Sequence, residues 1–130
     1  MNVHSASPAF VLFATLVVLG STAAHADRSA YRRLRSGEIR EEIIAHEVSD
    51  EMHWRDHFFP NGSIAGYVWD DPNPGTWSIS GDELCVSRWS DEQRDCFEVW
   101  LDGKDVEYRR EGAVMAVGRV RPLGERARKP

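Results

Sequence analysis

The chain has 130 residues, of which 42% are hydrophobic and 28% charged, with a net charge of −5. This length and balance fit one modest domain, and a mild acidic excess gives no basis for nucleic-acid binding. The charge is unevenly placed: residues 1–26 contain no Asp, Glu, Lys or Arg.

From Ala9 to Leu19 the chain reads AFVLFATLVVL, and Gly20 to Ala26 supplies small residues with an A-x-A ending. This is the pattern of a signal peptide over 1–26, cleaved before Asp27, although its first residues carry no Lys or Arg. At 1.5 Å per residue the apolar run spans about 16 Å, roughly half the hydrocarbon core, so no permanent membrane span is expected after cleavage. No Cys follows the run, which removes the usual acylation site of a lipoprotein. The expected destination is the periplasm or the exterior, by Gram-negative-type export.

The remaining chain divides into a basic arm over 27–35, a single β-domain over 36–120 and a disordered basic tail over 121–130. In the arm, Tyr31 and Leu34 are the only side chains suited to finding a surface. Ser36 offers a helix N-cap, Glu38 sits in the first turn, and Ile39, Ile43 and Ile44 share a side, which predicts one short helix over 36–46. Beyond it, aromatic and β-branched runs alternate with turn residues such as Pro60-Asn61-Gly62-Ser63, Asp71-Pro72-Asn73-Pro74-Gly75 and Asp102-Gly103. The punctuation predicts seven strands, near 52–59, 64–69, 75–80, 83–89, 95–101, 104–110 and 113–120. The fold class is therefore mainly β, an antiparallel meander that curls or closes into a small barrel with the helix over one end.

Cys85 and Cys96 are the only cysteines. In an exported chain they are expected to bridge, with a stabilisation of about 3 kcal/mol for a loop of this length. If they face each other, Leu84 lies opposite Phe97 and Glu83 opposite Glu98. One face then collects Leu84, Val86, Phe97, Val99 and Leu101, and the other Cys85, Ser87, Cys96, Glu98 and Trp100. The Glu83–Glu98 pairing is the unfavourable element of this register.

No GxSxG, phosphate-binding loop or GxGxxG occurs, and acidic pairs such as Asp70-Asp71 and Asp91-Glu92 fall in turns, where solvation accounts for them. The densest group of potential metal ligands is His46 to His57, with His53, Asp56 and His57 the weak candidates. The segment lacks the Glu of an HExxH site, and on a strand Arg55 separates the two imidazoles. No cofactor is expected. Trp54, Trp69, Trp77, Trp89 and Trp100 either fill the core or form a ligand or partner surface, with Trp89 and Trp100 better placed for the latter by strand parity.

The order LRSGEI, HWRDHFFPNGSIAG, GTWSISGDELCV and RDCFEVWLDGKDVEYRR resembles a family of small exported proteobacterial proteins of unknown function. The resemblance covers residues 34–120 and implies compartment and architecture, with no activity or site residues. A weaker similarity, in the G-x-W strand at Gly75 and Trp77 and in small-barrel texture, is to periplasmic inhibitors of secreted metalloproteases, whose N-terminal segment enters the protease cleft. The leading expectation is a non-enzymatic envelope binding module for a protein, glycan or small ligand. A protease inhibitor acting through the arm, and a metal protein or hydrolase using His53, Asp56 and His57, are the alternatives.

Overall fold

The computed structural model describes residues 30–124. The signal peptide expected over 1–26 and the tail beyond residue 124 lie outside the described residues. Ten strands and one helix follow in order: β1 (Arg32–Arg33), α1 (Ser36–Glu42), β2 (His46–Ser49), β3 (Trp54–Phe58), β4 (Ser63–Val68), β5 (Asp71–Pro72), β6 (Gly75–Ser80), β7 (Glu83–Arg88), β8 (Asp91–Asp102), β9 (Asp105–Arg110) and β10 (Ala113–Pro122).

Strands β2, β3, β4, β6, β7, β8, β9 and β10 pair antiparallel in chain order, and β10 returns to β2. The molecule is a closed eight-stranded up-and-down barrel with two short extra strands and one helix. All seven expected strands are present, and the eighth, β2, begins at His46, the last residue of the expected helix, and runs through Ser49, a stretch to which no strand was assigned. Its presence is what allows closure: consecutive strands of a meander alternate in direction, so an all-antiparallel ring needs an even number.

The helix accordingly ends at Glu42 and not at residue 46. Ala45 adopts a left-handed φ of 63° and donates its N–H to Phe58 O at 2.8 Å. From His46 the backbone is committed to neighbours on both sides, with Val48 opposite Asp56 of β3 and Val120 of β10. The N-cap is the extended Arg35, one residue earlier than expected, because the Ser36 N–H donates to the Asp82 carboxylate at 2.9 Å in the β6–β7 turn. That bond, together with the wholly buried Ile39 and Ile43, seats the helix over one end of the barrel.

Two boundaries move outward. Strand β8 is 12 residues long and overruns its partner β7, whose pairing stops at Glu98, so β1 takes the vacated edge at Trp100 and Leu101. Leu34 follows, fully buried, with its N–H donated to Val99 O at 2.8 Å. The arm is thus part of the domain from residue 32 onward. At the other end β10 does not stop at Val120: Arg121 and Pro122 pair with Glu47 and His46, and Leu123 is buried.

The cysteine hairpin has the expected register, with Cys85 bonded to Cys96, Leu84 opposite Phe97 and Glu83 opposite Glu98. The arm relieves the like-charged pair, since Arg33 forms an ion pair with Glu98 at 2.8 Å. A disulfide belongs to an oxidising, non-cytoplasmic compartment. Among the described residues, no helix is long and apolar enough to cross a membrane.

Candidate functional site: the open mouth of the barrel

In an up-and-down barrel alternate turns lie at opposite ends. The turns at 59–62, 81–82 and 103–104 share the helix end, where Phe58, Ile64, Leu84, Val99, Leu101 and Val106 meet Leu34, Ile39 and Ile43 in one dense cluster. The turns at 50–53, 69–70, 89–90 and 111–112 share the other end, which no helix or strand among the described residues covers.

Below this mouth the inward-facing residues stop filling the barrel. A cavity of about 350 Å³ remains, walled by Trp54, Val68, Val86, Phe97, Tyr108 and Ala116. The Tyr108 ring lies 6.3 Å from that of Trp54 and 5.9 Å from that of Phe97, tilted by only 34° and 31°, so it packs at a shallow angle against both neighbours. A concave apolar wall with a few polar groups is the usual composition of a small-molecule site, and the volume falls at the lower end of that range.

The polar groups of the cavity are led by Asp56 and Arg88, 32 residues apart in sequence. Arg88 comes from β7 and reaches Asp56 of β3 in a bidentate pair, with Nη1 donating to Oδ1 at 2.9 Å and Nη2 to Oδ2 at 2.6 Å. Nη1 also donates to the Asn73 carbonyl at 3.0 Å. Asp56 is only 6% exposed. The arrangement depends on Gly66, directly opposite Asp56 on β4. A Cβ there would stand 2.6 Å from Arg88 Nη1, 2.7 Å from Asp56 Oδ1 and 2.3 Å from the Asn73 carbonyl oxygen, so only glycine admits the guanidinium. The Tyr108 hydroxyl is buried and has no hydrogen-bond partner among the described residues. Burial, then the nearby Asp56 charge, raises its pKa well above the ordinary tyrosine value, while Arg88 opposes. The hydroxyl is therefore neutral.

The rim is fixed by local bonds. The Asp50 carboxylate accepts the N–H groups of Met52, His53 and Trp54 at 3.0, 2.6 and 3.0 Å and faces His53 Nδ1 at 2.7 Å. Desolvation works to raise its pKa, but these bonds prevail and hold it well below the usual carboxylate range. Across the rim, Trp69 and Asp70 both carry positive φ in the two-residue turn between β4 and β5, a conformation costly for a bulky side chain. It holds the Trp69 indole edge-on to the His53 ring at 4.6 Å. Trp69 and Trp89 are 66% and 77% exposed, and Met52 and Met115 join them around the opening.

The structure distributes the five tryptophans among different tasks. Trp54 lines the cavity, and Trp69 and Trp89 stand on its rim. Trp77 belongs to the helix end, donating Nε1–H to Phe59 O at 2.7 Å. Trp100, favoured from parity as a surface residue, is on the outer wall but lies under the Arg109 guanidinium at 4.2 Å, beside the paired arm. The three potential metal ligands are not gathered. Asp56 points into the barrel, His57 lies on the outer wall with Nε2 2.8 Å from Glu47 Oε2, and His53 sits at the rim on Asp50. Among the described residues no group of three His, Cys, Asp or Glu could hold a metal ion.

Arg88, Tyr108 and Gly66 escaped sequence reading. The available signal was Asp56 itself: it shares strand parity with Trp54 and Phe58, and a carboxylate in an inward register requires a buried partner. No family model, no curated protein and no solved structure matches the chain.

Proposed function

We propose that this chain is a non-enzymatic binding module of an exported, periplasmic compartment, holding a small molecule with an apolar body in the barrel mouth. The observation that carries the reading is the contrast between the two ends: one is packed solid beneath the helix, the other holds an open 350 Å³ cavity walled by Trp54, Phe97 and Tyr108. A core that merely needed filling would not leave a space of this size between apolar side chains. Trp69, Trp89 and Met52 are exposed in the turns of this same end. The disulfide supports the compartment. The inhibitor reading draws no support from the arm, whose Leu34 is enclosed in the core.

The test is titration of the oxidised full chain with 1-aminoanthracene, read by its fluorescence and by tryptophan quenching. Saturable one-to-one binding with Kd on the order of 10 μM is expected. Replacing Ala116 by Phe fills the cavity from its wall and should weaken binding at least tenfold. Unsaturable binding, or binding that Ala116→Phe leaves unchanged, would remove the proposal.

A further inference from the structure

A planar guanidinium carries its N–H groups in a fixed fork, and Arg88 spends only part of that fork on the protein. Both hydrogens of Nη1 are taken, one by Asp56 Oδ1 at 2.9 Å and one by the Asn73 carbonyl at 3.0 Å. One hydrogen of Nη2 goes to Asp56 Oδ2 at 2.6 Å. The second hydrogen of Nη2 and the hydrogen of Nε have no partner among the described residues. These two lie on the same edge of the guanidinium and point the same way, which is the geometry that meets a two-oxygen acceptor. The edge is not sealed: Arg88 lines the cavity with its side chain 23% exposed. The unpartnered side-chain atoms cut off from solvent are Trp100 Nε1 and the Tyr108 hydroxyl among the described residues, and Arg88 Nε is not one of them. Asp56, the Asn73 carbonyl and the room left by Gly66 fix the guanidinium plane, so the free edge is held in place before any ligand arrives.

We propose that this edge receives the carboxylate of a small apolar acid, whose hydrocarbon body lies against Trp54, Val68, Val86 and Ala116. This rests on the mouth being a ligand site, as proposed above. A carboxylate engages both free N–H groups in a charge-assisted, bidentate contact and leaves the Asp56 pair intact. A neutral amide of the same shape offers a single carbonyl oxygen without charge. A cation meets Asp56 with both oxygens already taken by Arg88. The other charged groups of the cavity are matched: Asp95 pairs with Arg110 at 3.1 Å, and His53 faces Asp50 at 2.7 Å. Asp56 stays as a negative neighbour on the far side of the guanidinium, so the contact selects among ligands while the apolar wall supplies much of the affinity. The cavity corresponds to the volume of about a dozen liquid waters, which bounds the body at one or two rings.

The test uses three probes with one body, 2-naphthoate, 2-naphthamide and 2-naphthylmethylammonium, each titrated calorimetrically into the oxidised full chain at pH 7. Naphthoate is expected to bind about tenfold more tightly than the amide, and the ammonium most weakly. The double variant Asp56→Asn with Arg88→Met removes both charges together, and in it the preference for naphthoate over the amide should vanish while the amide keeps its affinity to within about threefold. A purely structural role for the pair would weaken naphthoate and amide together. Naphthoate no tighter than the amide in the unmodified chain, or a preference that survives the double variant, overturns the carboxylate reading and leaves the binding site standing. Failure of all three probes and of 1-aminoanthracene to bind overturns the site itself. Should the double variant not fold, the assigned Arg88 Nε–H resonance in nitrogen-15 spectra of the unmodified chain decides: it should shift as naphthoate saturates, and a resonance that stays in place refutes the contact.

Discussion

The Asp56–Arg88 pair makes a definite demand on stability, and a double-mutant cycle isolates it. Asp56→Asn leaves the guanidinium, 23% exposed at its side chain, facing a carboxamide that can accept one of its two hydrogen bonds. Breaking a buried ion pair by removing one partner typically costs 3–5 kcal/mol. The opening above Arg88 lets water approach, which places the loss at the lower end, about 3 kcal/mol. For a domain of roughly this size that corresponds to a fall in Tm of about 12–24 °C. Arg88→Met strands the less exposed Asp56 carboxylate and should cost at least as much. The double variant removes both charges together and should recover about 2 kcal/mol of the summed losses. Urea unfolding followed by circular dichroism measures all four proteins. Two single losses under 1 kcal/mol that simply add in the double variant would refute the reasoning, since the pair would then be an exposed and inconsequential contact.

Two further outcomes test the local geometry. Gly66→Ala forces a Cβ to within 2.3 Å of a backbone oxygen and against both members of the pair, and should cost about 3 kcal/mol by urea unfolding; Gly37→Ala, in the helix with nothing within 4 Å, should instead be neutral or gain about 0.5 kcal/mol. Asp50 has a depressed folded pKa, so its charge adds stability above the unfolded carboxylate value of about 3.9, and that stability is lost as pH falls through the folded value. The gap between the urea midpoints of the parent and Asp50→Asn should therefore hold its size at pH 6 and narrow progressively as pH falls below about 3.9, and a gap of constant size down to about pH 2.5 would contradict it.

The barrel was largely readable because its signals are local. Aromatic and β-branched runs between Gly, Pro, Asn and Asp turns located seven strands, and two cysteines set one hairpin's register for every residue on it. What escaped was settled by distant partners. His46 to Ser49 carries a single apolar residue, Val48, and continues the isoleucine spacing of the helix; only the need for an eighth strand between β3 and β10 makes it extended. Arg32 and Arg33 have no strand character of their own and pair because β8 outlasts β7. Non-local demands of this kind override propensity wherever an edge would otherwise be left open.

The site was less readable for a related reason. Sequence reading looked for chemistry in neighbouring residues, and grouped His53, Asp56 and His57 because they are close along the chain. A strand sends alternate side chains to opposite faces, so closeness of odd-numbered and even-numbered positions on one strand means separation in space. The cavity instead joins Trp54 and Asp56 of β3 to Arg88 of β7, Phe97 of β8 and Tyr108 of β9. These five share only an inward parity, and each is unremarked alone. Taken together with Gly66, which clears the lane for Arg88, they occupy the half of the barrel that the helix does not close. The two halves thus carry different loads: the apolar cluster beneath α1 supplies the burial that holds the fold, and that burial is what allows the other half to remain open, with a part-buried ion pair and a phenol hydroxyl that has no hydrogen-bond partner among the described residues.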